Sequence, residues 1–279
     1  MNYLPTEKVK ASRINPRRLL LYGKPKCGKT TILSKLDNCL LLDLESGSDH
    51  VDALKMNIIG LTAPASEIDA IKSKRHASQK FYLTEVDSMI KNYRKDNNGE
   101  FPYKYVAIDT ITQLELWCEE HATKMYMDSV QGKKFNRDES GALLPKAKQE
   151  SVLTLAQGAG YLWLRNAFDY WLNIIDQLAP NIILIGHLKE KLINKSGKEL
   201  TSLDLDLTGK ISSLTAARCD AIGYVYRLKD ETKINFASQD AACGSRVEHL
   251  LGQDVVIMTE DSKNKTKTTH WETIYLPEN

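Results

Sequence analysis

Short apolar runs alternate with helix-period segments over the first two thirds of the chain. Runs at 18–22, 39–44, 56–61, 103–109 and 181–186 are each four to seven residues of mostly Leu, Ile, Val and Tyr, the pattern of strands covered on both faces. Between them, 31–36, 80–95, 111–129 and 159–178 carry apolar residues near a 3.6 period and predict helices. In the last of these the apolar positions are Tyr161, Leu164, Phe168, Trp171 and Ile175. Residues 131–150 are polar, hold Gly132, Gly141 and Pro145, and read as a long loop. After residue 188 the pattern changes. Leu192 to Leu200 predicts a hairpin turning at Asn194–Gly197, and strands follow near 220–227, 232–237, 254–258 and 271–276. Strands alternating with helices first and hairpins later imply an α/β fold: a mainly parallel sheet flanked by helices, extended by antiparallel C-terminal strands. The expected organisation is one domain over 17–258, an N-terminal extension over 1–16, and a C-terminal tail over 259–279 with a possible terminal strand. Residues 261–267 read as mobile.

Composition narrows this little. Apolar residues make up 42% and charged residues 27% of 279, as in an ordinary globular chain. The apolar runs are too short to span a bilayer and the first residues lack a secretory apolar region. Five scattered cysteines (Cys27, Cys39, Cys118, Cys219 and Cys243) form no C-x-x-C, which fits a reducing cytoplasm and excludes a structural zinc site. The net charge of +2 neither demands nor excludes nucleic acid.

The chemistry begins at the end of the first run. Gly23, Lys24, Pro25, Lys26, Cys27, Gly28, Lys29 and Thr30 spell G-x-x-x-x-G-K-T, the phosphate-binding loop. The glycines let the backbone wrap a polyphosphate, the intervening N–H groups form an anion nest, and the following helix adds its dipole. Lys29 is expected on the β- and γ-phosphates, the Thr30 hydroxyl on Mg²⁺, and the whole segment Gly23 to Thr31 on ATP. Strand, loop and helix in that order is the confirming context.

Such a site needs a carboxylate for the metal and a polarised water. Asp109 ends the run at 103–109 and is the metal candidate; capping the helix that begins near Ile111 is the plainer alternative. Glu45 follows the run at 39–44, and carboxyl ends of strands line the site in open α/β sheets. It is the candidate general base, with Asp43 competing. His187 directly follows the run at 181–186 and is placed to touch the γ-phosphate and report on it to the next loop. His50, His76, His121, His249 and His270 show no metal spacing.

The P-loop, then Leu41-Leu42-Asp43-Leu44-Glu45, Val106-Ala107-Ile108-Asp109-Thr110 and Ile183-Leu184-Ile185-Gly186-His187, together resemble the RecA-like P-loop ATPases. The match is closest to the small phage and prophage Sak-group proteins of single-strand annealing and recombination, which Gly160 to Arg165 and Gly186 to Lys191 also resemble. The resemblance covers about 15–250. It implies a RecA-like ATPase domain that hydrolyses ATP with Mg²⁺, Glu45 activating water, Asp109 at the metal, and His187 in place of a γ-phosphate-sensing glutamine. It also implies single-stranded DNA as a partner, through one loop after the Asp-strand helix and one after the sensor strand. Here these carry Lys133, Lys134, Phe135 and Arg137, and Lys189, Lys191, Lys195 and Lys198. Basic loops can also be merely solvated, and Asp138, Glu139, Glu190 and Glu199 are interspersed. Assembly as a ring or filament is a further implication, with a cation from the neighbour on the γ-phosphate: Arg246, with Lys233 as the weaker candidate.

Alternatives remain open at this level. A DNA-packaging or helicase-loader ATPase shares the P-loop and the DNA link. A nucleotide or small-molecule kinase would need an Arg-rich lid, and no compact Arg cluster occurs. A GTPase would need N-K-x-D, which Asn194-Lys195-Ser196-Gly197 begins and does not complete.

Overall fold

The computed structural model describes residues 4, 6–64, 80–135, 138, 140–142, 151–195, 198–237 and 241–277, with the backbone alone at 135 and 191–201. Its centre is the apolar runs. Strands β1 (Arg18–Gly23), β2 (Cys39–Asp43), β3 (Leu54–Gly60), β4 (Lys80–Tyr82), β5 (Tyr105–Asp109), β6 (Asn181–Lys195) and β8 (Ala221–Leu228) lie side by side in the order β8-β1-β6-β5-β2-β3-β4, all parallel. The α-helices among the described residues are α1 (Lys29–Leu33), α2 (Leu83–Asp96), α3 (Ile111–Asp128), α4 (Val130–Phe135), α5 (Gly160–Ile175) and α6 (Ile211–Arg218). Beyond β8 the sheet turns antiparallel through β9 (Glu231–Asn235), β11 (Asp254–Asp261) and β12 (Thr266–Thr269), while the two-residue β10 (Gly244–Ser245) also pairs with β8. This is the α/β architecture expected from the sequence, antiparallel extension included.

The strands are continuous in apolar residues because each face carries its own core. On one face Leu20, Leu42, Val106 and Ile108 pack against α2, α3 and α5 through Val86, Leu114, Phe168 and Trp171. On the other, Leu19, Leu21, Leu41 and Ile183 pack against α1 and the last residues of the chain. Burying these side chains contributes roughly 1.5–3 kcal/mol each.

β6 has two lives. Residues 181–187 pair with β1 and β5 inside the sheet, and 188–195 run on as an antiparallel hairpin with β7 (Lys198–Leu205), from Leu188↔Leu205 to Lys195↔Lys198. The two strands of the expected hairpin are therefore present; residues 196 and 197 lie outside the described residues.

Three expectations are corrected. The strand proposed at 271–276 is a 3₁₀ turn, Trp271–Thr273, and the terminal strand is β12, which pairs with β11 from Met258↔Thr269 to Asp261↔Thr266. The reason is spacing: Trp271, Ile274 and Tyr275 sit at i, i+3 and i+4, and all three are buried against α1 and β5. Residues 261–267, read as mobile, are the tip of that hairpin. The loop at 131–150 begins as the short helix α4. α6 had no forecast, because the positions it buries include Ser212 and Thr215 beside Ile211, leaving no apolar period to detect.

Candidate active site

Lateral register puts the chemistry on one edge of the sheet. Gly23 stands opposite His187, and Asp43 opposite Asp109, so the carboxyl ends of β1, β2 and β5 lie together with the point where β6 leaves the sheet. The phosphate loop leaves β1 there. A side chain at Gly23 would stand 2.3 Å from the Val225 carbonyl oxygen, and Gly28 adopts φ 103° where α1 begins; both positions require glycine. The Lys29 ammonium is buried and donates to the carbonyls of Gly23 and Lys24, both at 2.9 Å, which holds it across the mouth of the loop. Burial pushes the Cys27 thiol up, so this cysteine is neutral packing. Trp271 donates its indole N–H to the Ile32 carbonyl at 2.9 Å, and so the chain's last segment braces the short helix that follows the loop.

The Thr30 hydroxyl donates to the Asp109 carboxylate at 2.7 Å. These are hard oxygen donors, and such a pair, completed by phosphate oxygens and water, suits Mg²⁺. Asp109 is buried. Burial, followed by the nearby charges of Asp43 and Glu45, raises its pKa against the lowering effects of Thr30 and Lys29. Among the described residues no group of three or more His, Cys, Asp or Glu is gathered as a metal cage.

The two competing bases separate clearly. Asp43 is 1% exposed and is spent on its own chain. It accepts the N–H groups of Glu45 at 3.1 Å, Gly47 at 3.2 Å and Ser48 at 2.8 Å, and the Ser48 hydroxyl as well. Glu45 projects into the open edge, where the Thr110 hydroxyl and His187 Nε2 (2.9 Å) both meet its Oε1. Glu45 and His187, nominated separately in the sequence, are thus one unit. Thr110 is the residue that sequence reasoning missed. It caps α3, accepting from the Gln113 N–H, and aims its own proton at Glu45.

Arg246 lies at the other end of the sheet. Its guanidinium donates to the Ala217 carbonyl at 2.8 Å and its N–H to the Asp220 carbonyl, beside the start of β8, so it does not reach its own chain's loop. Lys233, on β9, pairs with Glu231 at 3.3 Å. Of the DNA candidates, Lys133 and Lys134 are exposed at the end of α4. Lys189 is held by the Leu207 carbonyl. Arg137 and the side chains of Phe135, Lys191, Lys195 and Lys198 lie outside the described residues. A groove of about 350 Å³ opens on the same edge, between the start of α5 and the turn from β7 to α6. Tyr161, Leu162, Arg165, Gly209 and Lys210 line it; Tyr161 is 50% exposed, and neither cationic head has a partner among the described residues. The sequence cue for these residues was thin, because Gly209 and Lys210 belong to a turn before an unforecast helix.

A family model described as AAA domain matches residues 15–270. No curated protein matches the chain. Among solved structures, an ATPase from the type III secretion system of pathogenic bacteria aligns with TM-score 0.38 at 9% identity, over 86% of this chain and 60% of that one, so the chain spans less than two thirds of that ATPase. The RadB recombinase aligns with TM-score 0.36 at 12% identity over 89% of each chain. With 15–270 matched, the chain belongs to the AAA domain family.

Proposed function

We propose that this protein is an ATP-dependent, single-stranded-DNA-binding ATPase of RecA-like type, acting in phage or prophage DNA recombination or strand annealing as a homo-oligomer. The observation that carries the hydrolytic part is the pair of contacts Thr30–Asp109 and Glu45–His187 on one sheet edge beside the phosphate loop. Lys29 binds the β- and γ-phosphates of ATP, and Thr30 with Asp109 would hold Mg²⁺, which would supply positive charge beside the γ-phosphate. Glu45 takes the proton of the attacking water. Thr110 and His187 orient Glu45, and His187 Nε2 exchanges it for the γ-phosphate when ATP is bound.

The DNA part is supported by the groove on that edge, whose Arg165 and Lys210 have no partner among the described residues and whose Tyr161 is exposed, and by the exposed Lys133 and Lys134 in the first expected DNA loop. Cations neutralise backbone phosphates and an aromatic stacks on a base. Arg246 stands at the opposite end of the sheet; its place in the mechanism is that of a cation offered to a neighbouring subunit, with Lys233 as the competing one. The test is ATP hydrolysis with and without single-stranded DNA. Stimulation by DNA is the expected result. Hydrolysis with no DNA binding at any salt concentration overturns the recombination role and moves the reading to a small-molecule or nucleotide kinase. DNA binding without strand annealing moves it to a packaging or loader ATPase.

A further inference from the structure

The first turns of α3 touch more than the nucleotide edge. Thr110, at the cap, donates to Glu45. Two residues on, the Thr112 hydroxyl accepts the His187 N–H at 3.2 Å and donates to the Asp206 carbonyl at 3.3 Å. One turn further, Glu115 accepts the Thr208 N–H with both carboxylate oxygens, at 2.9 and 3.1 Å. The Asp206 N–H closes the circuit on the His187 carbonyl at 2.9 Å. A single stretch of helix therefore holds the candidate base, the candidate sensor and the turn at 206–210 that walls the groove.

Glu115 is the outermost link and the most costly one. It is 7% exposed, and a buried carboxylate is tolerated only where hydrogen bonds repay its lost hydration. Lys189, a cation acting on it, is itself bound to the Leu207 carbonyl. The turn is open on its far side: Gly209 adopts φ +55° with nothing within 4 Å of where a side chain would start. Contact with α3, together with the buried Leu207 side chain beneath it, sets where this turn sits.

We propose that Glu115 is a positioning residue that makes the 206–210 turn, and with it the wall of the groove, follow the nucleotide held at the P-loop. This rests on the reading of Glu45 and His187 given above and adds its regulation. When His187 leaves Glu45 for the γ-phosphate, the end of β6 and the start of α3 shift together, and Glu115 carries the shift to the Thr208 amide. The element has two arrangements, each favoured by one nucleotide state.

Amide hydrogen exchange on the full chain tests this, with a non-hydrolysable ATP analogue or with ADP. A fluorescent nucleotide titration runs alongside to record occupancy. In wild type, exchange over 206–210 should differ about tenfold between the two nucleotides, a typical coupling between sites. Glu115→Ala should exchange fast and equally in both states while its nucleotide affinity stays within about twofold of wild type. Glu115→Gln, which keeps one acceptor oxygen for the Thr208 N–H, should restore part of the difference. Thr112→Val should reduce it too, which keeps the test decisive where Glu115→Ala folds poorly. A purely structural Glu115 would lower the melting temperature and leave the nucleotide difference intact, and that result overturns the proposal. So does a wild-type turn that ignores bound nucleotide. Failure of the wild type to bind nucleotide at all overturns the active-site reading as well, and the titration shows this separately.

Discussion

The two edges of the parallel sheet are both charged and are built on opposite logic. At the amino edge several charges are closed on partners of opposite charge or on backbone N–H groups. Arg18 forms a two-pronged pair with Asp176, Asp220 accepts the N–H groups of Arg17 and Arg18 at 2.8 and 3.0 Å, and Arg218 pairs with Asp169. At the carboxyl edge, Asp43, Glu45 and Asp109 converge, and their mutual repulsion helps raise the Asp109 pKa. Closed pairs fix strand ends to helix ends. Converging carboxylates are tolerable only where a cation or a reaction uses them. Charge alone does not distinguish structure from function in this fold; the kind of partner does, Arg–Asp pairs at one edge against Thr30–Asp109 and Glu45–His187 beside the phosphate loop at the other.

That contrast is broken most severely at the loop. Lys29→Ala removes the motif cation proposed for the β- and γ-phosphates and is expected to abolish nucleotide turnover while leaving the melting temperature near wild type; a steady-state hydrolysis assay checks it. Asp43→Ala should act differently although it sits on the same edge. It strands the N–H groups of Glu45, Gly47 and Ser48, so it should cost about 2–3 kcal/mol of stability and misplace Glu45. Urea denaturation and hydrolysis together would show both losses.

At the amino edge the expected effects are on stability alone. Asp176→Ala leaves the Arg18 guanidinium without its partner. Because Arg18 is partly exposed, the loss should be ~1–2 kcal/mol, read as a lower melting temperature with unchanged turnover per folded molecule. Arg246→Ala should have the smallest effect in dilute, monomeric protein, where its guanidinium serves only the Ala217 carbonyl. If Arg246 acts on a neighbour, its loss appears only at concentrations where oligomers form, and titrating hydrolysis against protein concentration separates the two.

The legible part of this molecule was its periodic part. Buried parallel strands are apolar throughout and announce themselves, and the phosphate loop is a backbone device whose glycines are irreplaceable, so β1, β2, β5, the sheet half of β6 and the loop were readable residue by residue. The order Asp43, then Glu45, was visible, but the choice between them depends on which way each carboxylate points. Three backbone N–H groups turn Asp43 inward, and no sequence pattern encodes that. Thr110, Thr112 and Glu115 were hidden for a related reason. They lie on an ordinary amphipathic helix, where a buried Glu looks like any polar position until the turn at 206–208 arrives from ninety residues away. The last residues misled because 271, 274 and 275 obey a helical spacing inside a stretch that looked extended.

The central claim is that the converging carboxyl edge is hydrolytic and that Glu45 is its base. Single-turnover ATP hydrolysis by Glu45→Gln, with nucleotide occupancy measured in the same samples, tests it directly. Replacing the carboxylate by an amide should leave occupancy unchanged and slow hydrolysis on the order of a hundredfold. Hydrolysis at the wild-type rate with full occupancy would contradict the account, and loss of activity in Asp43→Asn alongside it would name Asp43 as the base instead.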